Sequence, residues 1–173
     1  DISNKDQQLH KMLGDQQRLE TLLNAVKEAI ADLDLPTATT PIQQLKGQLR
    51  WPTRGKIVRS FGSRDTVSNQ RWNGVLIHAN EGSQVHAIHY GRVVFADWLR
   101  GFGLLLIIDH GDGYMSLYGH NQSLFKQTGD WVRGNETISS VGDSGGQKNN
   151  ALYFEIRRDG KPQNPKTWML ASK

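Results

Sequence analysis

Six histidines are the residues best suited to chemistry in this chain: His10, His78, His86, His89, His110 and His120. His86-x-x-His89 is the single close pair, placed where an expected strand ends before Tyr90-Gly91. A catalytic zinc takes about three N/O side chains and leaves one position open for water. His78 or Asp97 would have to complete that set, and neither stands at a diagnostic spacing. Surface histidines around a turn are the simpler reading. Asp109 and Asp112 fall in a turn, where Asp is favoured for local hydrogen bonding rather than for paired acid–base work. Asp143-Ser144-Gly145-Gly146-Gln147 has the glycines of a phosphate cradle but no Lys follows in a strand–loop–helix frame. Ser144 has no evident base. Cysteine is absent, which removes thiolate ligands, a cysteine nucleophile and a disulfide framework. The residue types alone describe a domain without a convincing active site, and neither metal nor cofactor is expected.

Composition narrows the setting. The 173 residues suffice for one or two domains, and 36% hydrophobic residues can supply a core. A mean hydropathy of −0.58 and the lack of any apolar run near 18 residues exclude a transmembrane helix. The chain opens at Asp1 without a methionine, as expected of a processed or excised piece. Residues 1–50 carry six Lys/Arg and seven Asp/Glu, a net of −1, whereas residues 51–173 carry fifteen and ten, a net of +5. A mildly basic domain suits anionic polymers or acidic protein surfaces. Without a dense Lys/Arg stripe, nucleic acid is not an expected partner.

The elements that must position these residues are of two kinds. Leu9, Gln16, Leu23 and Ile30 recur every seven residues, and Met12, Leu19, Val26 and Leu33 do so three places later. That a/d pattern predicts a helix over 4–33, either packed on its own domain or forming the end of a coiled coil. Asp34-Leu35-Pro36 ends it, 35–40 is a linker, and Thr40-Pro41 opens a short helix with Ile42, Leu45 and Leu49 on one face. The organisation expected is 1–34 helix, 35–50 linker and short helix, and 51–173 β domain. Within the last, strands are expected near 56–60, 73–78, 84–88, 91–97, 103–109, 114–119, 136–141 and 151–157, a mainly β fold of short antiparallel strands. A tight turn at Gly111-Asp112 pairs 109 with 114, 107 with 116 and 105 with 118. That register puts Leu105, Ile107, Ser116, Tyr118 and His120 on one face.

From Trp51 to Trp168 the chain resembles the LytM (lysostaphin-like) zinc peptidase domain, a β-rich fold that cleaves peptidoglycan cross-bridges. The resemblance is carried by GSR at 62–64, EGSQVHAIHYGRVVFADW at 81–98, GFGLLLIIDHGDGYMSLYGH at 101–120, GDWVRG at 129–134 and LYFEIRRDGKPQNPKTW at 152–168. Active members carry His-x-Gly-(Ile/Val)-Asp early in the domain and His-x-His before Phe-Glu. Here the first segment is Trp72-Asn73-Gly74-Val75-Leu76 and the second is Ala151-Leu152-Tyr153-Phe154-Glu155. The resemblance therefore implies that Trp72, Leu76 and Tyr153 stand where zinc ligands would be, and that His120 alone remains of the catalytic set. Trp and Leu offer no ligand atom and a neutral Tyr, with a pKa near 10, is a poor ligand at pH 7, so no hydrolase activity is expected.

The segments RWNGVLIHANEGSQVHAI, VGDSGGQ and LYFEIRRDGKPQNP resemble the EnvC-type murein hydrolase activators, a degenerate LytM subgroup of the Gram-negative periplasm. This implies a non-catalytic activator of periplasmic N-acetylmuramoyl-L-alanine amidases in cell division, recruited by the FtsE–FtsX complex through its coiled-coil region. The former active-site groove, with Trp72, Asn73, Leu76, Phe102, Leu105, Tyr118, His120 and Tyr153, is expected to take the amidase's regulatory helix. Trp72 and Leu76 have a second reading, as plugs of a vacated cavity. The N-terminal helix is long enough to fold back over the groove and occlude it. The alternative for the whole domain is a non-catalytic peptidoglycan-binding module.

Overall fold

A computed structural model of the chain describes residues 2–30, 40–65 and 68–171. One long helix, α1 (Ile2–Ile30), precedes ten strands: β1 (Lys56–Arg59), β2 (Val75–His78), β3 (Gln84–His86), β4 (Gly91–Leu99), β5 (Gly103–Gly111), β6 (Tyr114–Leu124), β7 (Trp131–Val132), β8 (Thr137–Val141), β9 (Ala151–Arg158) and β10 (Lys161–Gln163). The mainly β expectation holds. The eight expected strands are present, and Trp131–Val132 and Lys161–Gln163 are two more that sequence pattern did not mark, each too short to alternate. The end of the expected helix and nearly all of the 35–40 linker lie outside the described residues. The segment after Pro41 is a 3-10 helix (Ile42–Leu45) rather than an α-helix.

All strand pairs are antiparallel, in the order β1-β2-β9-β6-β5-β4-β7, with β10 beside β9. The far end of β6 leaves β9 and pairs with β8, which pairs with β3. The switch occurs at a bulge between Leu104/Leu106 and Asn121/Tyr118, where His120 adopts a left-handed φ of 62°. One extra residue bends a strand and turns subsequent side chains to the other face.

The β5–β6 hairpin corrects the expected register. Its turn is Asp112-Gly113, with φ of 53° and 84°, between the paired Gly111 and Tyr114. Two left-handed residues make the turn whose twist matches a hairpin, and Asp-Gly suits it better than Gly-Asp. That turn alone would move every partner by two places, but a bulge between Asp109 and Gly111 takes one back, so the net shift is one: Ile107 faces Leu117, Ile108 faces Ser116 and Leu106 faces Tyr118. A one-residue slip exchanges the faces. Leu105 and Ile107 share a face with Met115 and Leu117, while Ser116 and Tyr118 point the other way.

Each face has its own core. On one, Leu106, Ile108, Tyr118, Phe154 and Ile156 pack with Val85, Ile138 and Val141 of the β3–β8 pair. On the other, Leu105, Ile107, Leu117, Phe102 and Tyr153 are covered by Leu19, Leu23 and Val26 of α1. The heptad seam from Leu19 to Ile30 is thus spent on the sheet. Leu19 and Leu23 are 1% and 4% exposed, whereas the intervening Glu20, Thr21, Asn24 and Ala25 face solvent.

Candidate functional site

Three segments build the floor beneath α1. Trp72 and Asn73 lead into β2, which supplies Leu76; β5 supplies Leu105, preceded by Phe102; and β9 supplies Tyr153. Tyr153 is the hub, with ring centroids 6.0 Å from Trp72, 5.7 Å from Phe102 and 6.2 Å from His120. Such tilted and edge-on contacts suit the aromatic quadrupole. Leu76 and Trp72 pack against the same cluster as Leu19, Leu23 and Val26. At the helix's N-terminal side a recess of about 330 Å³ remains, bounded by Met12, Asp15 and Gln16 above and by Asn73, His120 and Tyr153 below.

Seven of the eight expected groove residues are therefore brought together. Tyr118 is the exception. It is fully buried on the opposite face, where its hydroxyl accepts from the Ile88 N–H (3.1 Å) and shares a hydrogen bond with Ser116 Oγ (2.8 Å). The register slip is the physical reason. His120 stays on the groove side because the bulge turns it back.

His120 is held rather than poised. Its Nδ1 donates to the Ser144 carbonyl (2.7 Å), and its backbone N–H donates to the Phe102 carbonyl (2.7 Å). Burial lowers its pKa, with the Ser144 bond opposing only in part, so the ring is neutral at pH 7. Ser144 in turn donates from Oγ to the Asn121 carbonyl and accepts from the Leu104 N–H. The glycine-rich 143–147 segment is thus a clamp on the bulge, not a phosphate cradle. Gly145 (φ 82°) lies so near Gly103 that a Cβ would collide with its backbone. His89 and His110 lie with ring centroids 6.0 Å apart, but each ring is held by a carbonyl, His89 by that of Thr40 and His110 by that of Tyr90, while His86 contacts that of Asn135.

The most consequential charges in the site were not singled out by sequence reading. Glu155 and Arg157, each 1% exposed, project from β9 on the same side as Tyr153. Arg157 Nε donates to Glu155 Oε1 (2.6 Å), and the Tyr153 hydroxyl donates to Glu155 Oε2 (2.6 Å). Arg157 Nη1 donates to the Gly160 carbonyl (3.0 Å) and to Glu20 of α1. Burial and then the neighbouring Glu155 carboxylate push the Tyr153 phenol well above its ordinary value. Burial pushes Glu155 up as well, although Arg157 draws it down. Burial works against the Arg157 charge, but Glu155 and Glu20 outweigh it and keep the guanidinium protonated. The legible signal was the Tyr-x-Glu-x-Arg alternation of an expected strand, which puts all three on one face.

These residues do not fit a zinc ion. The Trp72 indole nitrogen carries a hydrogen and no lone pair, and here that N–H is buried without an acceptor. Leu76 has no donor atom, the Tyr153 phenol is committed to Glu155, and Glu155 is committed to Arg157. Among the described residues no group of three or more His, Cys, Asp or Glu could hold a metal.

The model of peptidase family M23 matches residues 70–165. The murein hydrolase activator EnvC of Escherichia coli K12 is 43% identical over 143 residues, which cover 83% of this chain and 34% of that protein. The murein hydrolase activator NlpD of the same organism is 38% identical over 117 residues, covering 67% and 30%. The chain thus spans about a third of the length of these curated relatives. Among solved structures, a zinc-containing peptidase from Vibrio cholerae superposes with a TM-score of 0.65 at 20% identity, over 73% of this chain and 41% of that one. Helicobacter pylori Csd3 gives 0.61 at 26% identity, over 72% and 35%. With the family pattern running from the groove floor through β9 and the same fold recurring in peptidases, this chain belongs to peptidase family M23.

Proposed function

We propose that this chain is a non-catalytic activator of periplasmic N-acetylmuramoyl-L-alanine amidases in peptidoglycan splitting at cell division, and that α1 is its intramolecular restraint. The observation that carries the reading is a helix seated by Leu19, Leu23 and Val26 on a groove whose floor is apolar where the peptidases of the fold would bind metal. A surface that accepts one amphipathic helix can accept another presenting the same i, i+4, i+7 anchors. The names of the relatives, murein hydrolase activators of a Gram-negative bacterium, support the setting.

In the mechanism that follows, the amidase keeps its own catalytic centre blocked by a regulatory helix. That helix leaves only if the groove binds it more tightly than the amidase does, because a ligand shifts an equilibrium by no more than its differential affinity. Trp72, Leu76, Phe102, Leu105 and Tyr153 offer the apolar contacts, with Asn73 and His120 at the polar end. While α1 is docked, the same contacts are occupied by this chain's own leucines. Displacing α1 is therefore the activating event, and a pull by the FtsE–FtsX complex through the coiled-coil region would accomplish it.

Release of dye from labelled peptidoglycan by a purified periplasmic amidase tests the reading. Release is expected only with both proteins present, and Leu76→Lys or Tyr153→Asp is expected to abolish stimulation. Release by this chain alone, or full stimulation by both variants, would overturn it.

A further inference from the structure

The face of the domain opposite α1 carries a second recess that no part of this mechanism uses. It lies between the 50–55 segment, β1, β3 and the C-terminal 3-10 helix (Pro165–Thr167), and encloses about 1340 Å³. Ile57 and Ile77, at its base, pack on the core away from the groove. Arg50, Arg54, Lys56 and Lys166 line it and are exposed, and His86 completes the wall. No Asp or Glu is among the described residues that line it. None of the ion pairs among the described residues involves these four cations, since those pairs join Arg18–Asp15, Lys126–Glu136, Arg157–Glu20 and Arg157–Glu155.

A concave wall of one charge sign concentrates its field in the cleft and raises the local concentration of counter-ions. The cleft is far larger than one phosphate or acetate requires. Its concavity favours a chain that enters over a flat membrane that cannot. Trp51 is a half-buried wall, and Ser83, Gln84 and Asn135 supply neutral hydrogen-bonding groups beside the cations. Cations, amide-pairing groups and an apolar wall together suit an extended peptide bearing several carboxylates.

We infer that the Arg50–Arg54–Lys56–Lys166 cleft binds carboxylate-rich peptides, and that in peptidoglycan these are the stem peptides. The inference takes its setting from the proposed function but not its site: groove and cleft lie on opposite faces, so the wall and the partner can be held at once. Anchoring by this cleft would keep the activator on the polymer its partner cuts.

The test is sedimentation of the full chain with purified sacculi, without amidase, alongside the variants Arg54→Glu/Lys56→Glu and Arg50→Gln/Lys166→Gln. Exposed pairs contribute modestly, so charge reversal at two positions is expected to weaken binding about tenfold and neutralisation about threefold. Raising salt from about 50 to 150 mM is expected to weaken wild-type binding, and a soluble stem peptide to compete. Equal sedimentation of both variants and wild type would overturn the inference. So would failure of the wild type to sediment, competition by glycan chains but not by stem peptide, or binding to phosphatidylglycerol vesicles in place of sacculi. Amidase stimulation measured on the same preparations, with thermal melts as the folding control, separates failure of the cleft from failure of the activator reading.

Discussion

If α1 restrains the groove, loosening its anchors should raise potency without touching the groove. The perturbation we would choose is Leu19→Ala/Leu23→Ala, because alanine preserves helix propensity and confines the effect to docking. Both side chains are almost wholly buried against Phe102, Leu105 and Tyr153. Each truncation removes about three methyl or methylene groups, at about 0.8 kcal/mol per buried group. The pair therefore weakens docking by about 5 kcal/mol, which at about 1.4 kcal/mol per decade is a shift of about three thousandfold. An incoming helix binds only the open form, so its apparent affinity rises as the open fraction rises. In dye-release titrations the variant should reach half-maximal stimulation at a much lower concentration, with the plateau unchanged. Amide exchange in α1 should accelerate in parallel. An α1 that exchanges freely while the titration curve stays with that of the wild type would refute autoinhibition, and the helix would then be only a stabilising element of the fold.

Three other expectations follow from particular contacts. Glu20→Ala removes the α1 carboxylate from Arg157; because Glu20 is half exposed, the loss is about 1 kcal/mol, read as a several-fold gain in potency that high salt should abolish. His110 is buried between the Tyr90 carbonyl and Ser116 Oγ, and burial lowers its pKa from 6.5 to about 4. The unfolded chain therefore takes up a proton that the folded one refuses, and stability should fall by about 3 kcal/mol as pH drops from 6.5 to 4; His110→Gln should flatten that slope in urea titrations, and an unaltered slope would locate the dependence elsewhere. Gly145→Ala adds a Cβ at φ 82° against the Gly103 backbone; a loss of about 1–3 kcal/mol is expected, measured as a lowered midpoint of unfolding, whereas Gly146→Ala, with the same φ sign but open space, should cost less.

What could be read from the sequence was whatever repeats with a fixed period or stands at an absolute position. The α1 seam was legible because eight residues recur at heptad spacing, although the seam alone did not say whether it would face a second helix or a sheet. The sheet decides it: Leu105, Ile107 and Leu117 leave an apolar face that the β3–β8 layer, on the other side, cannot cover. What could not be read were features that hinge on one residue. The Asp112-Gly113 turn and the bulge between Asp109 and Gly111 together shift the β5–β6 register by a single place and take Tyr118 out of the groove. The left-handed His120 then undoes that reversal at its own position and keeps the ring beside Tyr153.

The Glu20–Arg157–Glu155–Tyr153 chain was hidden for another reason, since its members are 133 residues or more apart between helix and strand and ordinary charges when read one at a time. Their burial gives them their meaning. A buried guanidinium must be satisfied on all sides, and truncating one partner leaves an uncompensated charge. The bonds of Arg157 to Glu155 and the Gly160 carbonyl stay within β9 and the turn after it, and only its bond to Glu20 reaches α1. The network is therefore local on the sheet side and long-range on the helix side. On the proposed restraint, that asymmetry would let α1 leave with the floor's own pairs intact: Leu19, Leu23 and Val26 are its apolar anchors, and Glu20 is its tie to Arg157.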